Sequence, residues 1–175
     1  EECLIICDHE EEIVVGDHTF TAWHTPGHAR HHIAWQLDNV LFTGDVAGIK
    51  IDGGLIVPPC PPPDINLEDW NHSIALIRKS SVDTLYLTHF GMVEDVNSHL
   101  DSLQFMLNDW AQWMKPHAEA ETPIPEVTPQ FENYVAGQLR GFGLSGQAID
   151  QYEAANPSWM SVAGLMRYWR KKKID

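Results

Sequence analysis

Along the first ninety positions apolar residues come in short bursts divided by turn residues; beyond them they recur at helical spacing. Ile13-Val14-Val15 runs into a Gly16-Asp17 turn, and the β-prone Thr19-Phe20-Thr21-Ala22-Trp23 follows, which predicts a hairpin over 13–24. Leu4-Ile5-Ile6 is another short apolar run. Ile33 to Leu37 and Asn39 to Thr43 predict two further strands about a turn at Asp38-Asn39, so sequential antiparallel pairing is expected here. Between Leu67 and Lys79 the residues Leu67, Trp70, Ile74 and Ile77 repeat at helical spacing, and Val82 to Thr88 then reads as a buried strand ending at His89. A helix feeding a strand in this way predicts an α/β layer.

The run Pro58-Pro59-Cys60-Pro61-Pro62-Pro63 lacks the amide protons that a helix or central strand requires, which predicts a rigid loop. Past Gly91 the texture is helical only. Asn97 or Ser98 caps a helix whose Leu100, Leu103, Met106, Leu107, Trp110, Trp113 and Met114 face inward. A Pro-rich linker is expected over 116–129, after which Thr128-Pro129 opens a helix to about Arg140, Ser145 one to about Ala155, and Ser158 a last one to about Lys173. The organisation expected is an α/β unit over 1–95 and a smaller helical region over 96–175.

Composition narrows the partners. With 175 residues, 43% hydrophobic and 21% charged, the chain is a globular protein with a core to bury, not a disordered or fibrous one. No apolar stretch approaches the roughly 18 residues of a membrane span, and Glu1, Glu2 and the residues after them lack the basic-then-apolar order of a signal peptide, so neither anchor nor leader is expected. A net charge of −14 repels phosphate backbones and argues against nucleic acid as a partner. The one basic cluster, Arg167 to Lys173, reads as a solvated helix end. Cys3, Cys7 and Cys60 are odd in number and lack metal-finger spacing, which suits reduced thiols and a cytoplasmic setting; Cys3 and Cys7 are spaced to share one strand face.

The chemistry is carried by imidazoles. Of ten histidines, His24, His28, His31, His32 and His89 fall at strand ends or in turns. Three strand ends stand out. His24-Thr25-Pro26-Gly27-His28 places a tight turn directly after a strand, Phe42-Thr43-Gly44-Asp45 ends another, and Leu87-Thr88-His89-Phe90-Gly91 ends a third. They present His, Asp and His, a donor set for a borderline cation such as zinc.

In this order the motifs T-P-G-H with a further His four residues on, F-T-G-D and L-T-H-F-G resemble the metallo-β-lactamase superfamily, in its glyoxalase-II-like branch, over roughly residues 10–91. The resemblance implies an α/β fold, the C-terminal half of an αββα sandwich followed by a small helical appendage. It implies two zinc ions per complete domain, with iron or manganese as the other metals of the family. His28 would bind the first metal, Asp45 would bridge both and hold the nucleophile, and His89 would bind the second, with His32 behind them in the second shell. His24 and His31 receive no such role. The implied reaction is attack of a metal-bridging hydroxide on an ester, thioester or related bond of a small molecule. Trp159, Met160, Tyr168 and Trp169 of the appendage are candidate pocket residues.

The family's leading H-x-H-x-D-H motif has no counterpart here, because no two histidines lie two apart; Asp8-His9 and Asp17-His18 lack the preceding histidines and are set aside. The expectation is therefore a chain that needs either its missing N-terminal half or another copy of itself, to complete the metal site and to cover a sheet face bearing Ile33, Trp35 and Leu41. Two alternatives stand beside this reading: a mononuclear iron persulfide dioxygenase of the same fold, and a noncatalytic fragment serving as an assembly partner.

Overall fold

The computed structural model describes residues 5–89 and 91–173, so Cys3, Leu4 and Phe90 of the sequence reading lie outside the described residues. Strands β1 (Glu12–Val15), β2 (His18–His24), β3 (Ile33–Leu37), β4 (Val40–Phe42), β5 (Thr84–Leu87) and β6 (Gly91–Val93) form one sheet in sequence order. β1 to β4 pair antiparallel, β1 with β2 and β3 with β4 through tight turns and β2 with β3 through the loop 25–32. β5 lies parallel to β4 because helix α1 (Leu67–Lys79) intervenes and returns the chain to the same end of the sheet. Four more helices follow: α2 (Val96–Glu119), α3 (Ile124–Gly141), α4 (Gly146–Ala155) and α5 (Ser158–Lys172).

The linker expected over 116–129 is helix for most of its length. α2 continues through Pro116, and α3 opens at Ile124 with Pro123 as its cap, leaving only 120–123 between them. Pro125 sits in the first turn of α3, where no backbone N–H is needed, and Val127 and Phe131, four apart and fully buried, draw that turn into the core. Thr128 is thus inside the helix, its hydroxyl donating to the Ile124 carbonyl. α2 is capped by Asp95, whose carboxylate accepts from the Ser98 amide, instead of by Asn97 or Ser98. Ser145 caps α4 as its residue type suggests, whereas α5 follows Pro157, and Ser158 binds the Glu153 carboxylate through both its amide and its hydroxyl. Ile5 and Ile6 are exposed and belong to no strand.

The two faces of the sheet differ. Ala34, Leu41, Leu85 and Val93 point to one side and join Trp70, Ile74, Ile77, Leu100 and Leu103 in a continuous buried cluster that also takes in Phe131, Val162 and Leu165 of the later helices. Directly paired residues share a face, and the register Ala22–Trp35–Phe42–Tyr86–Met92 therefore runs as one row across the opposite side. Of that row Phe42 is 41% exposed, Tyr86 40% and Met92 55%. Ile33 and Trp35 lie on this open side as expected; Leu41 does not, being fully buried against the helices.

The appendage is closed onto the proline loop at Gly164. A Cβ there would overlap the Cys60 carbonyl oxygen, with backbone on both sides of the contact. Neither wall can yield by rotating a side chain. Gly164→Ala is accordingly expected to lower stability by about 1–3 kcal/mol, read as a lower midpoint with unchanged slope in urea unfolding; a midpoint at or above that of the parent chain would show that α5 does not approach the loop this closely.

Candidate metal centre

Three loops at one end of the sheet bring His28, Asp45 and His89 together. After β2, Gly27 takes φ +129°, and its carbonyl accepts from the Asn66 amide at 2.9 Å, which fixes the turn beneath His28. After β4, Gly44 (φ +55°) turns the chain so that Asp45 faces back across the strand ends, and the amide of Gly48 closes the loop on the Asp45 carbonyl at 3.0 Å. His89 follows β5 and is tied in by a bridge to Ile49 and by the Lys50 amide donating to its carbonyl.

His28 Nε2 lies 3.4 Å from Asp45 Oδ2, and His89 Nε2 lies 3.1 Å from Asp45 Oδ1. Each imidazole thus addresses its own carboxylate oxygen. Asp45 Oδ1 is a buried oxygen with no hydrogen-bond partner among the described residues. An uncompensated carboxylate oxygen flanked by imidazole nitrogen is the donor chemistry a divalent cation takes. The three side chains do not converge on one point: among the described residues no group of three His, Cys, Asp or Glu encloses a single ion. Asp45 is the residue common to the two close pairs, one oxygen towards each imidazole.

The tautomers follow from the partners. A carbonyl only accepts, so His28 Nδ1 carries the hydrogen it donates to the Pro59 carbonyl at 2.9 Å, and Nε2 is the ring nitrogen that faces Asp45. His32 is held the other way round. Its Nε2 accepts from the Asp45 amide at 3.0 Å, and its Nδ1 donates to the Thr25 hydroxyl at 2.8 Å. Burial, with His28 nearby, pushes the His32 pKa down from 6.5 to about 4, so the ring is neutral at pH 7 and can go on accepting from Asp45. Gly44 is required here, since a Cβ would run into the His32 ring.

Two ring donors that the sequence reading did not single out grip the residues after Asp45. Trp70 Nε1 of α1 donates to the Val46 carbonyl at 2.7 Å, and His99 Nε2 of α2 donates to the Ala47 carbonyl at 2.8 Å. Nothing in the pattern of α1 or α2 marks these rings, because an inward-facing helical residue looks the same whether it packs or donates. The remaining histidines stand apart from the centre: His24 Nε2 donates to the Arg30 carbonyl, and His9 Nδ1 accepts from the His24 amide. Trp159 is exposed, Tyr168 donates its hydroxyl to the Glu68 carboxylate, and Trp169 donates to the Ala111 carbonyl. Cys60 is fully buried, which pushes its thiol far above the ordinary range and leaves it inert.

A family model described as the metallo-beta-lactamase superfamily matches residues 8–89. A metallo-beta-lactamase fold-containing protein of Sulfurisphaera tokodaii is 32% identical over 93 residues, which are 53% of this chain and 35% of the relative. The crystal structure of an archaeal metallo-beta-lactamase superfamily protein from Sulfolobus tokodaii is similar at 30% identity, over 55% of this chain and 38% of that one, with a TM-score of 0.49. A metallo-beta-lactamase family protein from Thermus thermophilus shares the fold over 95% of this chain and 49% of its own, at 17% identity and a TM-score of 0.56, so the likeness in fold extends through the appended helices. The chain spans about a third of the length of the curated relative that it matches.

Proposed function

From the match of residues 8–89 to the metallo-beta-lactamase superfamily, we propose that the chain is the C-terminal half of a metal-dependent hydrolase acting on an ester, thioester or related bond of a small molecule. The observation that supports this most is the carboxylate of Asp45 with one imidazole at each oxygen, one of those oxygens buried and without a hydrogen-bond partner among the described residues. His28 and Asp45 would hold one cation, Asp45 and His89 a second, and zinc suits the donors. Such a pair supplies a water acidified towards neutrality and a polarised substrate oxygen.

The chain's own contribution is orientation. His28 is oriented by donation of its Nδ1 hydrogen to the Pro59 carbonyl, which leaves Nε2 facing Asp45, and Asp45 is kept in register by the neutral His32 ring that accepts from its amide. Three protein ligands cannot close two tetrahedral positions. The remaining ligands come, in this reading, from an upstream segment carrying H-x-H-x-D-H, or from another copy of the chain. The same partner covers the open row Trp35–Phe42–Tyr86–Met92. Burial of the Cys60 thiol away from any other cysteine among the described residues suits a cytoplasmic setting.

The test is titration of the chain with Co²⁺, alone and with the upstream segment supplied in trans. Alone, binding is expected to be weak and to disappear in His28→Ala and in His89→Ala. With the segment, affinity should rise and hydrolysis of a small aryl thioester or ester should appear. If the assembled protein binds no divalent metal, or if it binds metal as well without His28 as with it, the reading is wrong. One iron per assembled chain, retained in His89→Ala, would instead favour the mononuclear dioxygenase alternative.

A further inference from the structure

We propose that Trp70 is the positioning residue that fixes the separation of His28 and Asp45, with His99 as its second anchor; this rests on the metal reading above. Trp70 touches both ligand loops at once. The Gly27 turn lies so close over the Trp70 backbone that a Cβ at Gly27 would overlap it, and the His28 ring stands edge-on to the indole at 5.8 Å and 88°. From the far side of the same indole, Nε1 donates to the Val46 carbonyl next to Asp45 at 2.7 Å. The ring is fully buried, so it has no room to move relative to either loop. One rigid side chain of α1 therefore spans the space between the loop of the first imidazole and the loop of the carboxylate.

His99 supplies the second fixed point. It is 3% exposed, its Nε2 donates to the Ala47 carbonyl at 2.8 Å, and its Nδ1 has no hydrogen-bond partner among the described residues. Burial lowers its pKa, so the ring is a neutral, single-purpose donor at pH 7. Consecutive carbonyls after Asp45 are thus held by rings from two different helices, while His32 holds the amide of Asp45 itself. Rotation of the Asp45 loop would break all three bonds inside the protein, where water cannot replace them. Groups behind a ligand that are held in this way typically govern metal affinity by about 10–100-fold.

The experiment is Co²⁺ binding to the full chain, expressed per folded molecule, in Trp70→Phe, His99→Leu, His99→Gln and, as a control for lost stability alone, Phe131→Leu, which alters the core of α3 against Trp110. Trp70→Phe keeps a ring beside His28 and removes only the donor edge; it and His99→Leu are expected to weaken Co²⁺ by about 10–100-fold. His99→Gln, which offers an amide nitrogen near the place of Nε2, should retain most of the affinity, and Phe131→Leu should lower the melting temperature without weakening the metal. Equal losses in Phe131→Leu and Trp70→Phe, or parental affinity in Trp70→Phe, would overturn the proposal; if Trp70→Phe does not fold, the contrast between His99→Leu and His99→Gln decides. If the parent chain binds no Co²⁺, it is the metal reading that fails. Positioning is then judged from metal-free crystal structures: a His28 Nε2 to Asp45 Oδ2 distance displaced from 3.4 Å in Trp70→Phe supports it, and an unchanged one rejects it.

Discussion

Asp45→Asn is expected to abolish hydrolysis by the assembled protein, by on the order of 10³-fold or more, while leaving the chain folded. The carboxylate lies against both imidazoles, one at each oxygen, so both proposed cation positions lose their shared anion at once. Stabilisation by a catalytic cation is worth several kcal/mol of transition-state charge, and each 1.4 kcal/mol is a factor of about ten. The fold should tolerate the change because the features that shape the loop are independent of the carboxylate: the amide accepted by His32, the carbonyl bound by Gly48, and the Val46 and Ala47 carbonyls held by Trp70 and His99. In the absence of metal, Asn removes the charge from a buried group one of whose oxygens has no hydrogen-bond partner among the described residues, so the melting temperature of the metal-free chain should hold or rise. Loss of activity together with bound Co²⁺, at unchanged or higher metal-free stability, is the combined signature. Activity within tenfold of the parent would remove Asp45 from the centre of the mechanism.

The parts of this arrangement that were legible in the sequence are those where a backbone constraint sits beside a chemically distinctive residue. Gly27 before His28 and Gly44 before Asp45 both adopt φ values open chiefly to glycine, so T-P-G-H and F-T-G-D could be read as turns that aim a side chain off a strand end. The supporting shell carried no such mark. Trp70 and His99 occupy inward helical positions where their rings satisfy the same apolar pattern as Ile74 or Leu103, and the polar edge that reaches Val46 or Ala47 depends on a crossing of elements that periodicity does not contain.

The errors have equally local causes. Proline is incompatible with a helix only where its missing N–H or its ring matters, and at 123 and 125 the first turn of α3 asks for neither. β6 is three residues long, below the length at which alternation can be recognised. Val40, Leu41 and Phe42 are all apolar, so alternation does not assign their faces, and with a period of two a shift of one residue exchanges them; the pairing of Trp35 with Phe42 puts Phe42 outward and Leu41 inward.

That exchange sharpens what the chain should do in dilute solution. The outward row consists of Trp35, Phe42, Tyr86 and Met92, with Phe42 and Tyr86 stacked at 5.4 Å, and its members come from adjacent strands, so they form one contiguous apolar strip. Covering a large apolar side chain contributes about 1.5–3 kcal/mol relative to leaving it exposed, so finishing the burial of Phe42, Tyr86 and Met92 is worth several kcal/mol, a sizeable fraction of the stability of a domain. A net charge of −14 opposes self-association at low ionic strength but is screened beyond about 8 Å at physiological salt, whereas apolar contact is not. Light scattering at 150 mM salt is therefore expected to show species heavier than the 19.8 kDa monomer, and the mass should fall towards the monomer as salt is reduced. Phe42→Ser with Met92→Lys should restore the monomer at physiological salt without lowering the melting temperature, since both side chains are already open to solvent. Supplying the upstream half should do the same by covering the strip. A parent chain that is monomeric and cooperatively folded at 150 mM salt and high concentration would mean that the strip needs no cover, and the case for a partner on this face would rest on the incomplete metal site alone.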